Sequence, residues 1–393
     1  MRLRHVIVVY DDLLAPGGVP YETRALIGGL LANGCEVTAL CERPGGETER
    51  TRTEVAVIAD FERVDDSVPF PTFGYGLRSL TALLRAEERS HTVFFLIGCR
   101  RLEYLAYARL IRRFAFRYVL FPHGLLAPDL LTKGWNGRTK HWLRRQIESA
   151  FQFTVDRPVL QGATIVRALS TTEAARLRSL GAKRVFECAD GVDRSWLVAS
   201  APAAPAPREP LRLLYLGRPE PFQKGIDILL QAIDGLDRQG AVELVLAGPD
   251  EDRFRRIVVE TLGRAPDWVT FAGMLHGKAK WRAMAEAHLL AHVSRFEGMA
   301  KCVREAAARG LPILASYESN FGNWVQSSGA GLATHAAVAA VRDALVRATL
   351  LTPDEWDAMR EAAWRFAGEH SWNSVAARIL GALESQVDRS SRS

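Results

Sequence analysis

Ser294-Arg-Phe-Glu-Gly-Met-Ala-Lys-Cys-Val-Arg-Glu-Ala-Ala-Ala-Arg-Gly-Leu-Pro312 follows a short apolar run at 289–293 and reads as strand, loop and helix. Gly310 and Pro312 end that helix, as a left-handed cap followed by a residue that cannot continue the turn. Glu297 falls on the loop, and Glu305 lies eight residues later on the helix. Between them the backbone amides of Gly298, Met299, Ala300, Lys301 and Cys302 project from a helix start, which suits a diphosphate. Carboxylates on either side would repel that anion. They suit neutral hydroxyls instead, because each can accept two hydrogen bonds from a sugar or ribose diol.

Upstream, Leu213-Leu-Tyr-Leu-Gly-Arg-Pro-Glu-Pro-Phe-Gln-Lys-Gly-Ile-Asp-Ile-Leu-Leu230 has the same build. A strand ends at Leu216, Gly217 allows a close turn, and Lys224-Gly225 opens a helix. Arg218 and Lys224, at the C-terminal end of a strand, can neutralise a diphosphate leaving group.

The alternation extends in both directions. Strands are expected at 6–10, 35–41, 92–97 and 118–121, with helices at 21–33 and 102–114. A second series runs as strand 211–216, helix 226–236, strands 243–247 and 269–271, helix 278–287, strand 289–293, helix 303–309 and strand 313–315. Helices close the chain at 353–369 and 371–386. Short apolar runs separated by helices imply parallel sheets covered on both faces. Between the two series, four prolines within 202–210 mark a semi-rigid linker.

Composition narrows the class. An apolar fraction of 48% with 24% charged residues is that of a globular chain, so disorder is not the default, and 393 residues suit two domains rather than one core. No apolar run is long enough to span a bilayer, and Met1 to Tyr10 reads as a first strand rather than a signal peptide. Five scattered cysteines form no CxxC pair, which argues against a disulfide framework or a zinc site and for a reducing cytosol. The net charge of +6 is concentrated: from Arg100 to Arg145 there are eleven Lys/Arg against Glu103 and Asp129. Interleaved with aromatic residues, this stretch suits anionic lipid headgroups or a phosphate-bearing substrate. A solvated basic face is the alternative. Nucleic acid ranks last, because no nucleic-acid motif accompanies the charge.

The two quoted stretches resemble the retaining glycosyltransferases of the GT-B fold, group 1 or family 4. The resemblance is carried by Glu297, Gly298, Glu305, Ala306, Gly310, Leu311 and Pro312, and by Gly217, Arg218, Lys224 and Gly225. It implies an α/β chain of two doubly wound Rossmann-like domains facing a central cleft. The expected division is an acceptor domain at 1–197, a linker at 198–210 and a nucleotide-sugar donor domain at 211–370. A closing helix at 371–388 would pack back on the first domain. By this resemblance Glu297 binds donor-sugar hydroxyls, Glu305 the nucleotide ribose, and Arg218 and Lys224 the donor phosphates. Gly17 and Gly18, in Leu14-Ala-Pro-Gly-Gly-Val-Pro-Tyr21, look like the family's acceptor-domain loop, although a plain turn is an equal reading. His123, in Phe121-Pro-His-Gly124, matches the family histidine near the reaction centre.

Two departures stand out. Met299-Ala300 replace the family's usual Phe-Gly, and the segment 319–331 replaces its frequent Gly-Gly-x-x-Glu. Asp11-Asp12 sit in the wrong half for a metal motif, so no metal and no cofactor is expected beyond the nucleotide-sugar itself. The acceptor is expected to be a glycan or a polyprenyl-diphosphate-linked one at the inner membrane face, in surface-polysaccharide assembly. Two other classes remain: a nucleotide-sugar epimerase, which would turn over donor without acceptor, and a non-catalytic nucleotide-sugar-binding protein at the membrane, which would not turn it over at all.

Overall fold

The structure, a computed structural model, describes residues 3–10, 13, 18–41, 51–59, 62–74, 76–124, 126, 142–200, 210–236 and 241–390. Contacts divide the chain into two units. The first is drawn from 1–132, 140–191 and 371–393, and the second is centred on 192–370. The change of unit thus falls at 191/192 rather than at 197/198, and most of the Ala/Pro segment lies outside the described residues.

In the first unit the strands are β1 His5–Val9, β2 Glu36–Cys41, β3 Thr51–Ala59, β4 Glu62–Gly74, β5 Thr92–Ile97, β6 Arg117–Phe121, β7 Ile165–Ala168 and β8 Val185–Glu187. They form one sheet of order β3-β4-β2-β1-β5-β6-β7-β8. All neighbours are parallel except β3 and β4. Strand alternation explains why the central strands read as continuous apolar runs. Val6, Val8, Val93 and Phe95 enter one core, while Ile7, Val9, Phe94 and Leu96 enter another on the opposite face.

The β3–β4 pair was not legible in the sequence. Prolines at 69 and 71 interrupt β4, and a proline cannot donate to a ladder, so no strand pattern survives there. The helix Leu77–Ala86 that follows was likewise not anticipated.

The second unit has β9 Leu211–Leu216, β10 Val242–Ala247, β11 Val269–Gly273, β12 Leu289–His292, β13 Ile313–Ser316 and β14 Gly331–Thr334. Their order, β11-β10-β9-β12-β13-β14, is wholly parallel and reverses between β9 and β12. Such a switch point leaves a crevice beyond the strand ends, where open α/β sheets bind ligands. Loops leaving β9 and β12 carry the residues singled out in the sequence.

The helix Trp372–Ser390 follows the second unit in sequence but belongs to the first. Trp372, Val375, Ala376, Ile379 and Leu383 share a core with Leu26, Ile27 and Leu30 of the helix Gly18–Ala32. Gly29 permits this approach: a Cβ there would collide with the Trp372 carbonyl oxygen. Within the second unit, Val192 N–H donates to the His370 carbonyl at 2.7 Å, so the two ends of that unit are joined.

Candidate functional site

The turn after β9 is braced from within. Tyr215 Oη donates to the Arg218 carbonyl at 2.7 Å, and Gly217 N–H donates to the Ala247 carbonyl. The exposed Arg218 reaches Gln223 Oε1 at 3.4 Å. A short helix, Pro221–Lys224, then ends on Gly225 at φ 68°, and a Cβ on Gly225 would strike the Val293 carbonyl oxygen. Only glycine meets both conditions. This backbone approach brings the loop after β9 beside the loop after β12.

There Lys224 Nζ forms an ion pair with Glu297 Oε2. Burial alone would raise the Glu297 carboxyl. The Lys224 ammonium and the Gly298 amide outweigh it and hold the group below the usual carboxylate range. Asn320, with φ 66°, donates through Nδ2 to the carbonyls of Glu297 and Gly298 and fixes the loop from the far side. Arg295 makes a two-pronged bond to Asp227, at 2.8 and 2.7 Å, and so anchors the same loop to the helix Ile226–Asp234.

Gly298 and Met299 are half-buried, and Ala300 caps the helix Lys301–Ala308 with no side-chain hydrogen bond to its first amides. That leaves the start of the helix to bind an anion through N–H groups and dipole. Cys302 is half-buried, and burial, opposed by Lys224, pushes its thiol up to about 11, so it is no nucleophile at neutral pH. Glu305 is buried and held by Lys280 at 2.8 Å and Lys301 at 3.4 Å. His276 caps the helix Gly277–Glu286 that carries Lys280.

His292, at the end of β12, is fully enclosed and meets Phe321 edge-on at 5.8 Å. Burial first, and Lys224 second, lower its imidazole to about 4, so it is neutral at physiological pH. Among the described residues, its Nε2 and the Ser294 hydroxyl have no hydrogen-bond partner.

Of the residues expected in the first half, Gly17 lies outside the described residues, and Gly18 opens the helix Gly18–Ala32. His123 follows β6 with φ 52°, an uncommon backbone for a non-glycine residue, and stacks on Phe121. Its Nδ1 stands 3.6 Å from Glu22 Oε2. Glu22, His123 and Asp190 bring ligand atoms within 4.8 Å of one another. Asp190 is already matched by a buried guanidinium, Arg167, at 2.8 Å. In the described part of the basic stretch, the helix Trp142–Phe151 buries no residue and exposes Trp142, Leu143 and Ile147. Residues 127–141 lie outside the described residues. Among the described residues no helix is long and apolar enough to cross a membrane.

Sequence reading thus named Arg218, Lys224, Glu297, the amides 298–302 and Glu305, which the structure brings together at one switch point. It missed Lys280, Asn320, Arg295 and His292 there, and Glu22, Arg167 and Asp190 beside His123. Arg167 had a signal, a charged residue inside the short apolar strand β7.

Residues 210–350 match the family described as Glycosyl transferases group 1, and residues 17–186 match the Glycosyl transferase 4-like domain. The phosphatidyl-myo-inositol mannosyltransferase of Mycobacterium leprae (strain TN) is 27% identical over 239 residues, which are 58% of this chain and 61% of that protein. The aligned part therefore covers less than two thirds of that relative. Sucrose-phosphate synthase from Thermosynechococcus elongatus superposes with a TM-score of 0.69 at 19% identity, over 98% of this chain and 100% of that one. Anabaena Alr3699/HepE, solved in complex with UDP and glucose, gives 0.64 at 14% identity, over 97% of this chain and 100% of that one. The chain has the GT-B fold and belongs to the group 1, GT4-like glycosyltransferases.

Proposed function

We propose that the protein transfers a sugar from a nucleotide-diphosphate sugar, with retention and without a metal, to a glycan or polyprenyl-diphosphate-linked acceptor in surface-polysaccharide biosynthesis. The observation that carries this reading is the Lys224–Glu297 pair set against the uncapped start of the helix Lys301–Ala308. Lys224 pairs with Glu297, and Lys280 and Lys301 with Glu305, while Arg218 stands on the same loop as Lys224; these four cations exceed the two carboxylates by two charges, matching the two negative charges of a diphosphate diester. Similarity to a structure holding UDP and glucose supports the donor class, and similarity to a mannosyltransferase named for a phosphoinositide supports a lipid-linked acceptor.

Chemically, the bond between the sugar's anomeric carbon and the diphosphate oxygen breaks as the acceptor oxygen bonds to the same face. A diphosphate oxygen takes the acceptor's proton. Arg218, Lys224 and the helix amides stabilise the charge that grows on the leaving group, and Glu297 orients the sugar through its hydroxyls.

A thermal-shift screen of nucleotide-sugars identifies the donor, because a ligand bound only to the folded state raises its melting point. With that donor, Arg218→Ala and Lys224→Ala are each expected to lower kcat roughly 100-fold or more while the fold is kept. Wild-type turnover in both variants would rule out the proposed site. Proton NMR of the product reads the anomeric configuration; inversion would exclude the mechanism.

Location at the inner face of the cell membrane is part of the same reading. It is supported by the exposed apolar residues of the helix Trp142–Phe151 beside Arg144 and the basic run from Arg100. Co-sedimentation with anionic but not neutral vesicles is expected; equal behaviour with both would remove it.

A further inference from the structure

On the helix Gly277–Glu286 the buried residues are Gly277, Lys280 and Met284, spaced three and four apart on one face. Lys280 therefore occupies a place in the inward stripe that an apolar side chain would ordinarily fill. It is 6% exposed, and its Nζ donates to Glu305 Oε1 at 2.8 Å. The Trp281 ring lies 4.6 Å from that ammonium and 4.3 Å from the guanidinium carbon of Arg309. Lys301, one turn before Glu305 on its own helix, approaches the same oxygen, Oε1, at 3.4 Å. Among the described residues, neither of these contacts nor any other hydrogen bond uses Oε2.

A buried Lys–Glu pair is a poor device for stability alone, since an apolar replacement of similar volume is often neutral or better. What the pair does achieve is geometry. A glutamate has three rotatable bonds, and two cations converging on one oxygen fix which way the other points.

We infer that Lys280 is a positioning residue: it turns Glu305, which the family resemblance assigns to the nucleotide ribose, so that Oε2 faces the ribose diol, and the site's preference for ribonucleoside diphosphates over their deoxy forms depends on it. This inference rests on the donor reading given above. Glu305 touches the ligand; Lys280 acts through Glu305.

Isothermal titration with UDP, GDP and ADP, and with their 2′,3′-dideoxy counterparts, tests it. Hydrogen bonds to a charged group imply a wild-type preference for the ribose form of roughly tenfold to a hundredfold for at least one base. In Lys280→Met that preference is expected to fall below about threefold while the melting temperature is unchanged or higher. Lys280→Gln, which keeps a polar head in the stripe, serves if the methionine variant does not fold, and the same loss is expected.

A variant that keeps the full ribose preference would overturn the inference. So would one that loses ribose and dideoxy forms equally, since Lys280 would then act on the phosphates or on the fold. Wild-type binding without ribose preference overturns this inference and leaves the donor site standing. Absence of nucleoside diphosphate binding in the wild type overturns both.

Discussion

Replacing His292 by Leu isolates the electrostatics beneath the candidate donor loop. The imidazole is 3% exposed and its pKa is lowered to about 4, against 6.5 for the ordinary group. In the folded protein it stays neutral down to that value, whereas in the unfolded chain it takes up a proton below 6.5. Between these limits the unfolded state binds more protons, so stability is lost as pH falls. At 1.36 kcal/mol per unit, moving from pH 7.5 to pH 5 costs the wild type about 2 kcal/mol through this one group. Glu297, the titratable neighbour with a lowered pKa, contributes stability that is lost only as pH falls below the ordinary carboxylate range, beneath this window.

Leucine removes the proton-binding site and leaves no unbonded Nε2. The variant is therefore expected to match or exceed the wild type at pH 7.5 and to gain about 2 kcal/mol on it by pH 5. The two units need not unfold together, so the readout is hydrogen exchange of peptides from 289–316, corrected for intrinsic rates. A difference between variant and wild type that stays flat across this range refutes the claim that His292 is held neutral by burial and Lys224.

Two further outcomes follow from the backbone that joins the loops. Gly225→Ala, with φ 68° and the Val293 carbonyl in the path of the new Cβ, is expected to lose about 2–4 kcal/mol of stability, read as a drop in melting temperature. Nucleoside diphosphate binding, read by calorimetry, should go with it, and an unchanged melting point and affinity would show that the approach of the two loops is dispensable. Asn320→Ala removes the amide that holds the Glu297 and Gly298 carbonyls, and about 1 kcal/mol for each of the two lost bonds predicts a roughly thirtyfold rise in donor KM. Its melting temperature should shift by only a few degrees, so a large melting shift with unchanged KM would assign Asn320 to the fold instead of the loop.

The legible parts of this protein are those whose cause is local. β5 reads from the sequence because burial on both faces makes 92–97 an unbroken apolar run. Lys224 and Glu297 read because glycines and helix starts beside them restrict what the loops can do. Lys280 did not, because its meaning depends on Glu305, 25 residues away, and a lone lysine on a helix reads as a surface residue. Asn320 likewise acquires its role only from carbonyls 22 and 23 positions upstream. At β3 and β4 the obstacle was different: the ladder tolerates prolines that the strand pattern does not.

The helix Trp372–Ser390 fixes an order of assembly. The chain of 192–370 is synthesised before this helix, and in the finished fold the second unit's ends meet through Val192 and His370. The first unit, though synthesised earlier, presents Leu26, Ile27 and Leu30 without the side chains that cover them until this helix is made. The first unit therefore cannot complete its core until the end of synthesis, so the usual N-terminal-first order of domain folding does not hold for it. The first unit is the one exposed to chaperones during synthesis, and a stop codon just before Trp372 would spare the second unit and strand the first.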